Sequence, residues 1–378
     1  MTAVANGSAV DRARAPRVVI VTGVSRFLGA TIAARIAADP RVSKVVGVDR
    51  VDPPDELAPL LRDVAVRRAD LTEGASSLVK LGAEALVHLA VVSSPDPDAG
   101  GRAAMKDQNV IGTLQLLAAC QQMPSLRRLV VRSSTAAYGV SFRDPAVFTE
   151  DTEPRDAPRG GYGRDILDIE SYVRGFRRRR PAVTTTVLRF APFVGPQADT
   201  ALLKFLARPA VPTVLGRDPR LQFIHVDDAL EILRRSVLED HQGTFNVAGP
   251  GTLTLSQAVR RSGRIALPVL EPAMHAAASV GRGVAGLSLD QVDLFVHGRV
   301  VDTAKLVRQY GFTPRSTADA FDDFVQAQKP GAVITPALVA ATEQRLLDMI
   351  RSVREKRTGR PAVRASGDPR ADQGRSGR

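Results

Sequence analysis

The sequence predicts an α/β protein built on a doubly wound parallel sheet, followed by a small C-terminal substrate lobe. Short runs of β-branched and apolar residues alternate with helical patterns through roughly the first half of the chain. A glycine-containing turn separates the first of these runs from the first helix, and an aspartate ends the second run. Strands that alternate with helices favour parallel pairing through right-handed crossovers.

The predicted strands are short and mostly apolar. Residues 85–92 (ALVHLAVV) form an almost continuous apolar run, so we expect this strand at the centre of the sheet, buried on both faces. Helices are predicted over 109–121 and 162–178 from apolar residues at helical spacing. The remaining predicted strands of the sheet are 17–22, 44–49, 65–70, 128–133 and 184–190.

The loop after the first strand is the first candidate site. It spans residues 22–29 (TGVSRFLG) and leads directly into a helix. A helix N-terminus offers free backbone N–H groups and the positive end of its dipole, which is where dinucleotide-binding folds hold a pyrophosphate. Gly23 permits the tight turn, and Gly29 permits close packing of helix on strand. Arg26 stands where a middle glycine is usual, so its guanidinium either crowds the phosphates or contacts them.

An acidic residue supports this interpretation. Asp49 ends the second strand, 20 residues after Gly29, a spacing that suits a carboxylate bonded to the adenosine ribose hydroxyls. A carboxylate there repels a 2′-phosphate, which favours NAD over NADP, although the adjacent Arg50 weakens that preference. Asp70, at the end of the third strand, is placed to bond the adenine amino group. Each acid alone is equally an ordinary polar strand end, but together with the turn they predict a Rossmann-type NAD site.

Further motifs follow in a fixed order along the chain. After the residues above come HLA, NVIGT, SSTAAYG, FIHVDD, FNV, DTAK and GFTP, at 88–90, 109–113, 133–139, 223–228, 245–247, 302–305 and 311–314. This series resembles the extended short-chain dehydrogenase/reductases, the NAD-dependent epimerase/dehydratase family. It is also similar to a divergent actinobacterial branch labelled UDP-glucose 4-epimerase-like. The resemblance covers roughly residues 17 to 325.

The resemblance implies a catalytic pair and a set of cofactor contacts. Ser134 would orient the substrate hydroxyl, and Tyr162 would act as the acid and base. The cofactor-binding residues that the turn, the acids and the resemblance together predict are Gly23, Ser25, Arg26, Phe27, Leu28, Gly29, Asp49, Asp70, Leu71, Leu89 and Asn109.

One catalytic position departs from the family pattern. The family places a lysine four residues after the tyrosine, where it lowers the tyrosine pKa and holds the nicotinamide ribose, but this chain has Ile166. Residues four apart share a helix face, so position 166 is where a cation is needed. A phenol with an ordinary pKa of about 10 is a poor general base at pH 7. Arg164 is two residues after Tyr162 and is expected to face away.

The substrate-binding positions also depart from the pattern. The family often has an asparagine before a Gly-Pro turn to contact a nucleotide-sugar diphosphate, and this chain has Pro192, which lacks an N–H donor. The arginine expected two residues before Phe223 is Leu221, with Arg220 adjacent. His225 is expected to be a structural hydrogen-bonding residue. No His, Cys and carboxylate set has metal-ligand spacing, so no metal is predicted.

Composition indicates an ordinary globular protein with an uneven charge. Hydrophobic residues make up 44% and charged residues 24% of the chain. Residues 351–378 hold nine Lys or Arg and three acids, half of the net charge of +12. The single cysteine, Cys120, is expected to be a buried hydrophobe. The absence of a signal peptide and of a membrane-length apolar segment predicts a cytoplasmic protein.

The chain divides into five predicted regions by pattern and composition. They are a disordered N-terminus (1–15), a dinucleotide-binding domain (16–190), a mostly substrate-binding lobe with strands near 221–226 and 244–247 that return to the sheet (191–330), a C-terminal helix (331–357) and a disordered basic tail (358–378).

Three functional hypotheses remain open at this point. The first is an NAD-dependent oxidoreductase or isomerase that acts on a nucleotide sugar or a related hydroxyl or carbonyl compound. The second, motivated by Ile166, is a non-catalytic NAD-binding sensor or regulator. The third is a nucleic-acid-associated scaffold using the basic tail and the arginines 177–180, although no aromatic residues lie among them for base stacking. The resemblance also implies a homodimer through the helices carrying Asn109 and Tyr162.

Overall fold

The structure, a computed structural model, describes residues 14–139, 141, 143–154, 157–158, 161–198, 200–279, 289–328, 344–345 and 348. The basic tail lies outside these residues, as do most of the predicted C-terminal helix and of the N-terminal segment 1–15. Of that N-terminal segment Arg14 and Ala15 are described, and Ala15 is buried in the core.

Strands and helices alternate through the first half of the described chain. The strands are β1 (Val18–Thr22), β2 (Lys44–Asp49), β3 (Ala65–Arg68), β4 (Ala85–His88), β5 (Arg128–Ser134), β6 (Thr184–Phe190), β7 (Phe193–Val194), β8 (Ala210–Val214), β9 (Arg220–Leu221), β10 (Ile224–His225), β11 (Gly243–Val247), β12 (Leu253–Thr254) and β13 (Ile265–Val269). The α-helices are α1 (Phe27–Ala37), α2 (Gly101–Lys106), α3 (Gly112–Gln121), α4 (Gly161–Arg179), α5 (Ala201–Leu206), α6 (Val226–Leu238), α7 (Leu255–Arg261), α8 (Glu271–Ser279), α9 (Leu289–His297), α10 (Ala304–Tyr310) and α11 (Thr317–Ala327). A π-helical turn, Asp107–Ile111, joins α2 to α3.

Seven strands form the central sheet, and all of them are parallel. Their order is β3-β2-β1-β4-β5-β6-β11, which confirms the predicted doubly wound Rossmann-type fold. The strand order reverses between β1 and β4, so their connections leave on opposite sides and a crevice opens at the carboxyl ends of these strands.

Helices cover both faces of this sheet. On one face α1, α6 and α10 bury a cluster that includes Ile32, Leu233 and Leu306 against β1 and β4. On the other face α3 and α4 bury a cluster that includes Leu117 and Ile169. The two apolar clusters hold the strands rigidly, so the carboxyl edge of the sheet is a fixed platform for the site.

The strand predicted at 85–92 is central and buried, but it ends at His88. The reason is local. The N–H groups of Leu89 and Ala90 donate to the side-chain oxygen of Thr22 in β1 instead of continuing a strand ladder. The chain therefore turns out of the sheet at the crevice.

The C-terminal lobe packs its own apolar cluster, which includes Phe205, Phe295 and Phe321. Of the two segments predicted to return to the sheet, β11 does so beside β6. The segment predicted as a strand over 221–226 differs: β9 pairs with β12, and β10 pairs with β7. None of these four short strands belongs to the seven-stranded sheet.

The arginines at 177–180 lie at the end of α4. Arg180 donates to the carbonyl oxygens of Cys120, Gln121 and Met123, which close the C-terminal end of the neighbouring α3. Cations suit this end of a helix because its last carbonyls lack partners and carry the negative end of the dipole. Across the described part of the chain, no helix combines the length and apolar character that a membrane span requires.

Candidate functional site

The loop between β1 and α1 is shaped by two glycines. Gly23 has a φ of +86°, and a Cβ there would lie 2.8 Å from the carbonyl carbon of Leu89. At Gly29 a Cβ would lie 2.0 Å from the carbonyl oxygen of Gly23. Both positions therefore require glycine, and together they seat the first turn of α1 directly on the end of β1.

The N-terminus of α1 keeps its hydrogen-bonding capacity. Arg26 is the N-cap residue with extended backbone, its side chain caps nothing, and the first turn holds no acid. The first N–H groups of the helix are therefore left for an anion. The Arg26 side chain is exposed to the open crevice, yet protein surrounds it closely: desolvation lowers its pKa, the Arg132 guanidinium lowers it further, and Asp49 opposes both.

Asp49 is buried at the end of β2 and is bonded to the same loop. Its Oδ2 accepts from the N–H of Ser25 at 2.9 Å and from the Ser25 hydroxyl at 2.7 Å. Its Oδ1 accepts from the N–H of Arg50 at 2.8 Å. A carboxylate has about four acceptor directions, so one direction on Oδ1 is left for a ribose hydroxyl.

A cavity of about 220 Å³ opens beside these residues. Four predicted cofactor residues line it: Gly23, Ser25, Arg26 and Asp49. The other residues that line the cavity lie outside the predicted cofactor set: Arg50, Val51, Asp52, Pro54, Ala90 and Gln108. The only sequence signal for most of these residues is their position shortly after a strand that ends at the crevice.

The other predicted cofactor residues do not line this cavity. Phe27 and Leu28 begin α1, Gly29 is in close contact with Gly23, and Leu71 and Leu89 are buried. Asp70 uses its Oδ1 to accept from the N–H and hydroxyl of Thr72.

Asn109 is buried in the π-helical turn and holds the chain after β4. Its side chain exchanges two hydrogen bonds with the backbone of Val92, at 2.7 and 2.9 Å, and donates to Asp165 at 3.0 Å. Arg102 binds the same carboxylate through both terminal nitrogens, at 2.9 and 2.6 Å. This buried cluster fixes the start of α4, where Tyr162 lies, against the end of β4.

A buried hydrogen-bonded chain centred on His88 lies next to the glycine loop. The Thr113 hydroxyl donates to the carbonyl of Asn109, so its oxygen accepts from Nε2 of His88 at 2.9 Å. That tautomer leaves Nδ1 of His88 to accept from the Thr22 hydroxyl at 2.8 Å. Burial lowers the pKa of His88 to about 4, so the ring is neutral at pH 7 and serves as a spacer between β1, β4 and α3.

The predicted catalytic residues Ser134 and Tyr162 line one cavity of about 100 Å³ at the carboxyl end of β5. The Ser134 oxygen accepts from the N–H of Ala136 at 3.1 Å, which leaves its O–H as a donor into the cavity. Sequence reasoning missed two arginines in the lining, Arg132 and Arg299. Arg132 had a signal, because residues two apart on a strand share a face and it lies two before Ser134.

Ile166 is fully buried in the apolar cluster beneath α4. It supplies no charge to the cavity, as its residue type predicted. Arg164 is exposed and pairs with Asp168 at 3.0 Å along the helix surface, and it does not line the cavity.

A buried ion pair supports the strand that carries the serine. Arg189 of β6 binds both carboxylate oxygens of Glu170 in α4, at 2.9 and 2.7 Å, and the Ser133 hydroxyl donates to Glu170 at 2.5 Å. Arg189 also donates to the Tyr138 hydroxyl at 2.9 Å. Ser133 is thereby bonded to α4. Because successive side chains of a strand point to opposite faces, Ser134 faces the cavity.

Pro192, Leu221 and Arg220 stand at or next to the positions where this chain departs from the family's substrate-binding pattern. Pro192 lines the cavity of Ser134 and Tyr162. Leu221 is buried in the lobe, and Arg220 donates to the carbonyl of Ala146 at 2.9 Å. His225 caps α6 by accepting from the N–H of Asp227. Within the described residues, no group of three or more His, Cys, Asp or Glu is arranged to hold a metal ion.

Comparison with known proteins identifies a family and several relatives of this chain. The model of the NAD dependent epimerase/dehydratase family matches residues 19–248. An uncharacterised protein of Mycobacterium tuberculosis is 40% identical over 338 residues, which cover 88% of this chain and 90% of that protein. The dTDP-glucose 4,6-dehydratase of Neisseria gonorrhoeae is 26% identical over 332 residues, which cover 80% of this chain and 92% of that enzyme.

Solved structures share the fold. The UDP-glucose 4-epimerase of Thermotoga maritima with UDP-glucose superimposes with a TM-score of 0.64 at 18% identity, covering 82% of this chain and 98% of that one. The dTDP-glucose 4,6-dehydratase of Bacillus anthracis in complex with NAD gives 0.63 at 16% identity, covering 83% and 97%. The family match spans most of the parallel sheet and the strand ends that border both candidate cavities. This chain therefore belongs to the NAD-dependent epimerase/dehydratase family.

Proposed function

We propose that the chain is an NAD-dependent oxidoreductase or epimerase acting on the hydroxyl or carbonyl group of a nucleotide sugar or a related compound. The observation that carries the proposal is that Ser134 and Tyr162 line one cavity at the crevice, next to a glycine loop and an acid suited to a dinucleotide. The substrate class follows from the relatives, which are named as dehydratases and epimerases of nucleotide-linked glucose.

The residues of the crevice fit a dinucleotide. The uncapped N–H groups of α1 and the Arg26 guanidinium would hold the pyrophosphate, and the remaining Oδ1 direction of Asp49 would accept from a ribose hydroxyl. The carboxylate in that position favours NAD over NADP. Bound NAD would supply a hydride acceptor and donor at the cavity.

Ser134 and Tyr162 would handle the substrate oxygen. The Ser134 O–H points its donor capacity into the cavity and orients the oxygen there. Tyr162, in the first turn of α4, exchanges the proton with that oxygen. Ile166 supplies no cation for the phenol, so we expect slow turnover at neutral pH and a rate that rises toward the tyrosine pKa.

The test is direct. Purified protein is denatured, and released small molecules are identified by mass spectrometry and absorbance. The intact protein is then incubated with UDP-, GDP- and dTDP-sugars while NADH absorbance and sugar products are followed. Turnover of one sugar that Tyr162→Phe abolishes supports the proposal. No association with NAD or NADH at millimolar concentration, with the fold intact by circular dichroism, would sink it.

The other two hypotheses receive less support. A non-catalytic NAD sensor rests on Ile166 alone, and native turnover would exclude it. A nucleic-acid scaffold would need free arginines at 177–180, but Arg177 and Arg180 donate to main-chain carbonyls within the fold. We also propose a cytoplasmic location. The location is supported by the cysteine content, because the single cysteine, Cys120, cannot form an internal disulfide.

A further inference from the structure

Two positively charged side chains line the cavity of Ser134 and Tyr162. Among the described residues that line it are two arginines, Arg132 and Arg299, and no aspartate or glutamate. Glu170 lies behind Ser133 in α4, but Arg189 already pairs with both of its oxygens. Glu170 is therefore already paired by Arg189 and does not neutralise Arg132.

Within the described part of the chain, a backbone carbonyl and an aromatic ring hold Arg132 in place, and it forms no ion pair with a carboxylate. One terminal nitrogen donates to the carbonyl of Val91 at 3.1 Å, and the guanidinium carbon lies 5.4 Å from the ring centre of Phe193. Its Nε is buried and has no hydrogen-bond partner among the described residues. The Arg132 side chain therefore places a positive charge in the wall of the cavity.

Arg132 also shares its field with Arg26. Desolvation lowers the pKa of Arg26, and repulsion from the Arg132 guanidinium lowers it further. Arg26 belongs to the pyrophosphate loop, and Arg132 belongs to the catalytic cavity. Each of the two cavities therefore has one of these two cations in its wall.

The inference rests on the proposed function in one respect. Hydride transfer requires the reacting carbon to touch the nicotinamide ring while its oxygen touches Ser134 and Tyr162. A reacting ring must therefore lie at the cavity that Arg132 lines. The ring is positively charged in NAD and neutral in NADH, whereas the adenosine and pyrophosphate are the same in both.

We propose that Arg132 makes this site selective for the reduced dinucleotide, so that the chain binds NADH more tightly than NAD. A guanidinium beside the ring repels the oxidised form and leaves the reduced form unaffected, and the repulsion is strong where water is excluded. Arg26 is present in wild type and in every Arg132 variant, so a change in the ratio of the two affinities between these proteins reports Arg132. Tighter binding of NADH shifts the bound couple toward its reduced form by the same factor.

The experiment measures three affinities by calorimetry on the full chain: NAD, NADH and ADP-ribose, which lacks the ring. Wild type is expected to bind NADH at least about tenfold more tightly than NAD, a difference of about 1.4 kcal/mol. Arg132→Met should bring the two within about threefold of each other, since the ring no longer faces a cation. Arg132→Lys keeps the charge and should keep the preference.

Two comparisons separate the local effect from a general loss of charge. Arg164→Met removes an equal charge from the exposed face of α4, outside the cavity, and should leave the ratio unchanged. ADP-ribose affinity should change by less than about threefold in Arg132→Met, because its pyrophosphate still meets Arg26 and the α1 N-terminus. Thermal unfolding of each variant shows whether the fold persists, and Arg132→Gln, which is polar and uncharged, carries the test if Arg132→Met does not fold.

The outcomes are distinguishable. If NAD, NADH and ADP-ribose all fail to bind, the proposed function is lost. If NAD and NADH bind equally to wild type, the proposed function stands and the selectivity is refuted. A preference for NADH that persists unchanged in Arg132→Met assigns it to another residue and overturns the role given to Arg132.

Discussion

Ser25 donates two hydrogen bonds to a single oxygen of Asp49, one from its N–H at 2.9 Å and one from its hydroxyl at 2.7 Å. The glycine loop and the end of β2 are therefore joined before any ligand arrives. Such preorganisation reduces the ordering cost of binding, because the carboxylate already points its remaining Oδ1 direction at the cavity. Two polar residues 24 positions apart thus act as one structural unit.

The first prediction concerns this pair. Asp49→Asn removes the charge and an acceptor, and hydrogen bonds to charged groups contribute about 1.5–3 kcal/mol, so NADH affinity should fall about tenfold or more. Ser25→Ala keeps the backbone N–H bond and should cost about threefold. Calorimetry measures both affinities. Asp39→Asn, at the far end of α1, serves as the charge-matched control. Undiminished binding by Asp49→Asn would contradict the ribose role.

The second prediction concerns the missing cation. Ile166→Lys places an ammonium one helical turn after Tyr162, which should raise the rate of hydride transfer at pH 7 by at least about tenfold through a lower tyrosine pKa. The pH at which the rate is half-maximal should fall in the same variant. The ammonium also loses hydration in an apolar cluster, so the melting temperature should drop.

The matched control for that variant is Ile166→Met, which is unbranched and uncharged. It should leave the pH profile unchanged, so that any shift in Ile166→Lys reports the charge. An unchanged rate and profile in a folded Ile166→Lys protein would show that position 166 does not govern the phenol. Strong activity in the variant together with none in wild type would favour the sensor hypothesis.

The sheet and the cofactor loop could be predicted because their signals are local. Apolar runs with intervening helical spacing gave the strand positions, and the 20 residues from Gly29 to Asp49 gave the second contact point. Where a prediction differed, a long-range contact was responsible. The strand 85–92 stops at His88 because Thr22, in another strand, captures the next two N–H groups.

The charge of the catalytic cavity could not be predicted in this way. Arg132 and Arg299 come from distant parts of the chain and meet only because the lobe folds over the sheet edge. The arginines 177–180 end a helix, and residue type alone does not show that Arg180 closes the end of the neighbouring α3. Tertiary contacts decide which charged side chains form hydrogen bonds within the fold. A local sequence pattern does not contain these contacts.

The third prediction is a pH dependence of stability centred on His88. Its pKa is lowered to about 4 in the folded protein, from 6.5, so the unfolded chain binds a proton that the folded chain excludes between these values. Its contribution is therefore fully present above pH 6.5 and is lost as the pH falls toward 4. Lowering the pH from 7 to 5 should cost about 2 kcal/mol of unfolding free energy from this group.

Denaturant unfolding at pH 7 and pH 5 measures the effect, with His88→Gln as the variant that cannot titrate. Glutamine keeps one donor and one acceptor for Thr113 and Thr22, although at lower stability overall. The pH 7-to-5 loss should be about 2 kcal/mol smaller in His88→Gln than in wild type. Equal losses in the two proteins would show that His88 does not titrate as a buried neutral ring.

The fourth prediction concerns self-association through α3 and α4. Ile111 and Leu114 lie one turn apart, with exposures of 39% and 40%, on the side of the sheet that carries these helices. Exposed apolar side chains at helical spacing suit a two-fold interface, in which each copy covers the other's patch. We therefore expect a homodimer in sedimentation velocity, and Leu114→Asp should shift it to monomer because the carboxylate would be desolvated at the contact.

Leu215→Asp, on an equally apolar but separate exposed position in the lobe, should leave the dimer intact. A wild-type protein that sediments as a monomer at tens of micromolar, or a dimer that Leu114→Asp does not weaken, would place any association elsewhere.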